Sequence, residues 1–260
     1  MIALTRLPAP SFATGCLVTF VERRPIDFDE ALRQHAAYRG VLEAVGCRVV
    51  LLSALPELPD GVFTEDVGVA LPEGLVLTRP GAPERRPEAA AMERDLTDPG
   101  GAAGVEVAVV GRVEAPATLD GGDVVRLGRR LLVGRSSRTD DAGVSALAAL
   151  AEPLGYRVSG VEIGGVLHLE SVCTALDDRT LLVDPGQVDP AGLGAPVIEI
   201  DPDEPLGANA ARANGALVTT AAAPRTATRL RRAGYDVRTV AISEFEKAEG
   251  AATCLSLRIP

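Results

Sequence analysis

No stretch of this sequence approaches 18 uninterrupted apolar residues, so a membrane span is not expected. Met1–Pro8 carries one basic residue and runs straight into Pro-rich sequence without a long apolar core. That pattern is not a signal peptide, and the expectation is a cytoplasmic protein. The four cysteines, Cys16, Cys47, Cys173 and Cys254, show no C-x-x-C spacing. Together with the two scattered histidines they lack the paired spacing of a zinc site, and free thiols are expected rather than disulfides. Lysine is nearly absent: Lys247 stands alone beside 25 arginines, so a single arginine carries less functional weight than usual. With a net charge of −10, nucleic acid is a poor general partner and a small cationic molecule a compatible one. Neither G-x-G-x-x-G nor G-x-x-x-x-G-K-[ST] occurs in the right context, so nucleotide binding is not indicated.

What is present repeats with a period of roughly fifty residues. Val67–Leu71 and Leu75–Thr78 read as a hairpin across Pro72-Glu73-Gly74, followed by a helix over Glu84–Leu96 and a strand over Val105–Val110. The second copy has a hairpin of Val124–Leu127 and Arg130–Val133, a helix over Asp141–Leu154 and a strand over Arg157–Ile163. Ser171–Leu176 and Thr180–Val183 begin a third, whose Gly- and Pro-rich middle hides any helix before a strand at Val197–Ile200. In the fourth, Ala216–Thr220 precedes a helix over Ala227–Ala233 and a strand over Val237–Ala241. The ends supply the rest: a strand at Leu17–Val21, a helix over Phe28–Val45 opened by an Asp27/Glu30 capping box, a strand at Arg48–Leu52, and a last strand over Thr253–Arg258. Five hairpin–helix–strand units without a long linker predict one α/β domain over residues 1–260, closed and radially repeated, not a Rossmann sheet.

Two residues stand out as chemistry. Cys254 follows small residues near the C-terminus, and His168 lies between two leucines, 86 positions earlier. Nucleophile and base are commonly dispersed this way and meet through the fold. A buried apolar cysteine and a satisfied core histidine are the plain alternatives. His35 falls on the stripe of Phe28, Leu32, Tyr38 and Leu42 and reads as structural. Asp120 and Asp123 flank a Gly-Gly pair just before a hairpin; a turn would favour the same residues, but two carboxylates there can orient an imidazole and receive a cation. Glu65-Asp66 opens the preceding unit in the same way, and such acids are costly unless solvated or paired with a cation. Arg85-Arg86 and Arg138 can hold a carboxylate in bidentate fashion, though solvated surface arginine is the default reading.

Taken together these residues resemble the dimethylarginine dimethylaminohydrolase family, a group of guanidine-modifying enzymes with the pentein fold. The resemblance runs over nearly the whole chain. It rests on Pro59–Asp66, Thr78–Arg86, Thr118–Val124, Ser137-Arg138-Thr139, Val166–Leu169, Ala208-Asn209 and Thr253–Arg258, in the family's order. It implies a five-bladed α/β propeller with a closed central site and no metal or organic cofactor. It also implies hydrolysis of an Nω-methylated arginine to citrulline and a methylamine. By that resemblance Cys254 attacks the guanidinium carbon, His168 is the acid and then the base, and Asp120 orients His168 and touches the guanidinium. Asp66 would grip the guanidinium, with Glu65 counted beside it. Arg85 and Arg138 would take the α-carboxylate, and Asp60 with backbone groups near Leu17 and Ala248 the α-amino group. Where the family commonly reads His-Leu-Lys-Ser, this chain has His168-Leu169-Glu170-Ser171, an acid that could raise the pKa of His168 or alter the substrate fit. Val67-Gly68 is a smaller pair than expected, and the lid region Thr14–Val18 carries an extra residue. Another guanidine hydrolase, such as an arginine deiminase, or a non-catalytic propeller of the same fold are the rival readings. Oligomeric state is not legible, and a homodimer stays open.

Overall fold

In the computed structural model, which describes residues 1–97, 104–105 and 107–260, fifteen strands form five three-stranded sheets. Each sheet follows one rule: its first strand is antiparallel to its second, and its third returns parallel to the second. The first sheet holds β3 (Gly68–Leu71), β4 (Gly74–Leu77) and β5 (Val109–Arg112). Next comes β6 (Val124–Leu127), β7 (Arg130–Arg135) and β8 (Arg157–Glu162). The third contains β9 (Cys173–Ala175), β10 (Leu181–Val183) and β11 (Val197–Glu199). The fourth contains β12 (Ala210–Ala213), β13 (Ala216–Thr220) and β14 (Asp236–Val240). The chain ends build the fifth. There β15 (Leu257–Ile259) pairs antiparallel with β1 (Ile2–Arg6), which runs parallel to β2 (Arg48–Leu52). A hairpin split between the two termini joins them through a sheet rather than leaving two frayed edges.

Each second-to-third crossover that carries a full helix covers one sheet. These helices are α2 (Phe28–Ala44), α3 (Arg86–Thr97), α4 (Asp141–Ala151) and α5 (Pro224–Arg232); two short ones, α1 (Phe12–Gly15) and α6 (Ser243–Glu246), lie by the chain ends. Asp27 caps α2 by accepting a hydrogen bond from the Glu30 N–H at 2.9 Å, as the capping box predicts. Asp140 caps α4 through the Gly143 N–H at 2.7 Å. That helix stops at Ala151, three residues short of the expected end, and passes through a 3₁₀ turn over Glu152–Leu154 to Gly155 at φ +88°. The third unit has a single 3₁₀ turn, Pro190–Leu193, in place of a helix.

Two expectations fail for identifiable reasons, and a third falls partly outside the described residues. Leu17–Val21 is not a strand: the Leu17 N–H is taken by Asp60, and those of Thr19, Phe20 and Val21 by Glu249, so no neighbouring strand can pair with them. The N-terminal strand is Ile2–Arg6 instead. At the other end only Leu257–Ile259 extends; Thr253 is pulled into a turn by Asn209, which accepts its N–H at 2.9 Å. Of the expected strand at 105–110, residue 106 lies outside the described residues, and β5 occupies Val109–Arg112.

Candidate active site

The first strands are the inner ones, with β15 beside β3, β6 beside β9, and β9 beside β12. Asp66, Asp120, His168, Asn209 and Cys254 each sit in the turn that leads into such a strand. A 3₁₀ turn over Thr64–Val67 precedes β3 and carries Asp66; another over Gly121–Asp123 follows Asp120 and precedes β6. His168 opens the turn Leu169–Ser171 before β9, Asn209 immediately precedes β12, and Cys254 lies just before β15. One structural rule applied five times brings residues from across the sequence to a single axis.

Close approach explains the Gly-Gly pair. A Cβ on Gly121 would sit 2.0 Å from the Glu65 carbonyl oxygen, and one on Gly122 would meet the His168 ring and Asp66 at 2.8 Å. Any side chain here would force two of the turns apart.

His168 is 3% exposed. Its Nε2 lies 3.0 Å from Asp120 Oδ2, and its Nδ1 lies 3.7 Å from Asp66 Oδ1. Burial alone would favour the neutral ring; Asp66, the hydrogen bond to Asp120 and the charge of Asp123 outweigh it and lift the pKa to about 9. Asp120 is fixed in turn by the Gly81 N–H, 2.9 Å from Oδ1, and its own N–H donates to Thr139 Oγ1 at 3.1 Å. Asp123 faces away from the reacting centre: it accepts from Ser136 Oγ and Thr139 Oγ1, both at 2.6 Å, and from the Leu169 N–H at 3.0 Å. It braces the turn that carries His168.

Cys254 is partly exposed, on the wall of a small cavity it shares with Leu17, Asp60, Phe63, Asp66, Arg85, Arg138, Leu167, His168, Ala248, Glu249 and Gly250. Burial, with the charges of Glu65 and Asp66, holds its thiol well above the ordinary range. The resting pair is thus a neutral thiol beside an imidazolium. All four cysteines are free. His35, buried but without any hydrogen-bond partner, packs at 6.2 Å on the Phe245 ring, as its place on the helix stripe predicts.

The arginines divide. Arg85 is saturated: Nη1 meets Asp66 at 2.5 Å, Nη2 meets Glu88 at 2.8 Å, and Nη2 also reaches the carbonyls of Asp60 and Phe63 at 3.3 Å. Glu88 went unnoticed in the sequence, although an acid three residues after an arginine at a helix start is a readable signal. Arg138 also lines the cavity, and its Nη1 is buried without a partner. Burial pushes the Asp60 carboxyl up against the pull of Arg85, and its Oδ2 accepts the Leu17 N–H at 3.2 Å.

Glu65 departs from its expected place. It does not line this cavity but faces a larger one, of about 320 Å³, on the far side of Cys254, where Arg258 binds its Oε1 at 2.6 Å. Glu170 lies there too. The Oε2 atoms of Glu65 and Glu170 are both buried without a donor, and burial plus the Glu65 charge drive the Glu170 carboxyl far above the carboxylate range. Arg258 also donates to the Thr253 carbonyl at 2.7 Å, and Asn209 Nδ2 to Thr253 Oγ1 at 2.8 Å, so the turn bearing Cys254 is braced from behind. The departure from the family's lysine thus lies behind the turn that bears Cys254.

Asp66, Asp120 and His168 place one donor atom each within 4.8 Å of one another, a spacing that could hold a cation. Both carboxylates are already matched to cationic partners, Arg85 and His168. A guanidinium, which spreads its charge over several N–H donors, suits such a partly neutralised acidic wall better than a compact ion.

Residues 53–204 match the arginine deiminase family. The chain is 41% identical to the dimethylarginine dimethylaminohydrolase of Streptomyces coelicolor, over 99% of this chain and 96% of that protein. To the enzyme of the same name from Pseudomonas aeruginosa it is 33% identical, over 98% of both chains. Its fold superposes on the Pseudomonas aeruginosa enzyme in complex with citrulline with a TM-score of 0.88, covering 99% of this chain and 98% of the other at 32% identity.

Proposed function

The chain belongs to the dimethylarginine dimethylaminohydrolase family, within the arginine deiminase superfamily of pentein-fold proteins, and from that premise we propose how its site works. The protein is a dimethylarginine hydrolase: water replaces the methylated amine, leaving citrulline. The observation that carries the assignment of roles is the meeting of Cys254, His168 and Asp66 on one cavity, with Asp120 bonded to the imidazole behind them.

The guanidinium enters between Asp66 and Cys254. Its positive charge offsets the acids that suppress the thiolate, so the thiol releases its proton to solvent when the substrate arrives. The thiolate attacks the guanidinium carbon. His168, already protonated at neutral pH, gives its Nδ1 proton to the departing dimethylamine while Asp120 holds the ring through Nε2. A covalent S-alkylthiouronium remains. The ring, now neutral, takes a proton from water as the oxygen adds to the same carbon, and the carbon–sulfur bond breaks to release citrulline and the thiolate. Arg138, with its spare donor, takes the α-carboxylate, and Arg85 chiefly orients Asp66; Asp60 and the backbone near Leu17 and Ala248 receive the α-amino group. No cofactor enters these steps.

The substrate is a small cationic amino acid. Residues 1–260 act as one catalytic unit, since all five sheets contribute a turn to the axis. Among the described residues no helix is long and apolar enough to cross a membrane, and four free thiols suit a reducing cytoplasm.

Citrulline release from dimethylarginine, monomethylarginine and arginine, with and without Cys254→Ser, tests this. Release from the methylated substrates, lost in the variant, is expected. Release from arginine alone would make the protein a deiminase, and release that survives the substitution would remove Cys254 from the mechanism.

A further inference from the structure

Glu249 is not needed by the mechanism above, yet four observations converge on it. Its backbone is left-handed, at φ +62°, a conformation that costs a non-glycine residue energy and persists only where its surroundings enforce it. The backbone is packed tightly here: a Cβ on the next residue, Gly250, would lie 2.3 Å from the Phe63 ring. One carboxylate oxygen, Oε1, accepts three consecutive backbone N–H groups: Thr19 at 3.0 Å, Phe20, and Val21 at 2.9 Å. The other, Oε2, is buried with no partner at all. Glu249 lines the same cavity as Leu17, Asp60, Ala248 and Arg138.

A buried carboxylate oxygen without a donor is costly unless a ligand supplies one. Arg138 Nη1 is the matching orphan of opposite sign on the same cavity. An amino acid brings both complements, a carboxylate for the arginine and an ammonium for the acid. The cavity as it stands holds about 20 Å³, room for roughly one water. Its cover, the segment from Leu17 to Val21, must therefore move for a substrate to enter, and that cover is what Glu249 grips.

We propose that Glu249 is a specificity-determining residue that receives the substrate's α-ammonium on Oε2 while Oε1 holds the 19–21 segment down, so that closure depends on a free α-amino group. This rests on the reading of the protein as a hydrolase of methylated arginine. Asp60 and Glu249 then share the ammonium between two carboxylates, and N-acylated or peptide-bound methylarginine is excluded by charge as well as by the cover.

The test pairs Glu249→Gln with a substrate that lacks the amine. Glutamine keeps an acceptor for the cover but replaces the free carboxylate oxygen by an N–H donor. KM and kcat are measured for dimethylarginine, and the 5-(N,N-dimethylguanidino)pentanoate analogue is measured as a competitor through its Ki. The expected result is a rise in KM for dimethylarginine of roughly ten- to a hundredfold, the span of a charge-assisted hydrogen bond. kcat should change far less, and Ki for the analogue less than about twofold. Equal losses for both molecules would make Glu249 a fastening of the cover only, and no loss for either would remove it from binding; each overturns the proposal. Failure of the unaltered enzyme to release citrulline from dimethylarginine is a separate result, which would strike the functional reading itself.

Discussion

His35 and His168 are both buried, at 0% and 3% exposure, yet they titrate in opposite directions. His35 sits on α2 among apolar side chains, with Arg39 as its nearest charge; burial, then that arginine, press its pKa down to about 3. His168 sits where three turns meet, and despite its burial Asp66, Asp120 and Asp123 hold it near 9. Depth is therefore no guide to function here. What separates the two rings is whether the fold delivers compensating charge: it reaches His168 at the turns along the axis and does not reach His35.

Removing each ring is the strongest way to break that comparison. His168→Ala is expected to lower kcat by on the order of 10² to 10⁴, the usual worth of a general acid–base, with the protein still folded by circular dichroism. Asp120→Asn should fall in the same range, because it removes the carboxylate that holds the ring and its charge. His35→Leu should leave kcat within about twofold, as it touches no group on the axis. A His35 variant as damaged in kcat as the His168 variant, at equal stability, would end the distinction.

A pH series sharpens it. The folded pKa of His168 is raised above the unfolded value near 6.5, so its contribution to stability is full below about 6.5 and is lost as pH rises through about 9. The folded pKa of His35 is depressed, so its contribution is present above about 6.5 and drains away as pH falls towards 3. Each window is worth a few kcal/mol. Urea unfolding across pH 3 to 10 should show wild type losing stability at both ends, His35→Leu relieved of part of the acid loss, and His168→Ala of part of the alkaline loss. Identical pH profiles for the two variants would contradict the assignment.

The smallest expected effect lies at a helix start. Asp27→Ala should cost about 1 kcal/mol of stability in urea melts and leave kcat unchanged, since Asp27 caps the helix that carries His35 and contacts nothing on the axis. A loss of activity without a loss of stability would mean that α2 communicates with the site.

Much of this was legible in the sequence. The fifty-residue repeat locates the apolar runs of the first three hairpins and the second strand of the fourth, because alternation and turn residues are local signals. The Asp27 cap, the structural character of His35 and the choice of Cys254, His168, Asp120 and Asp66 as candidates that meet in the fold were readable too. The errors cluster where a side chain intercepts the backbone. Leu17–Val21 has strand composition, but Asp60 and Glu249, distant in sequence, take its N–H groups. Thr253 and Cys254 look like strand residues until Asn209 bends them into a turn. Ala210–Ala213 lacks β-branched residues and becomes a strand only by pairing with β13.

By itself the amino-acid sequence determined the repeating units, the family and the candidates for nucleophile and acid–base partner, because periodicity and residue type are properties of the chain. Only the tertiary structure decided which carboxylate faces which cation. Glu65 and Asp66 are neighbours in the chain, yet Arg258 draws one to the rear cavity and Arg85 the other to the site. It also decided that Arg138 keeps a free donor while Arg85 does not, and that Glu249 stands over the site with an unanswered oxygen. Electrostatic pairing falls off over a few ångströms and takes no account of separation along the chain, so it is settled when the five turns come together on one axis.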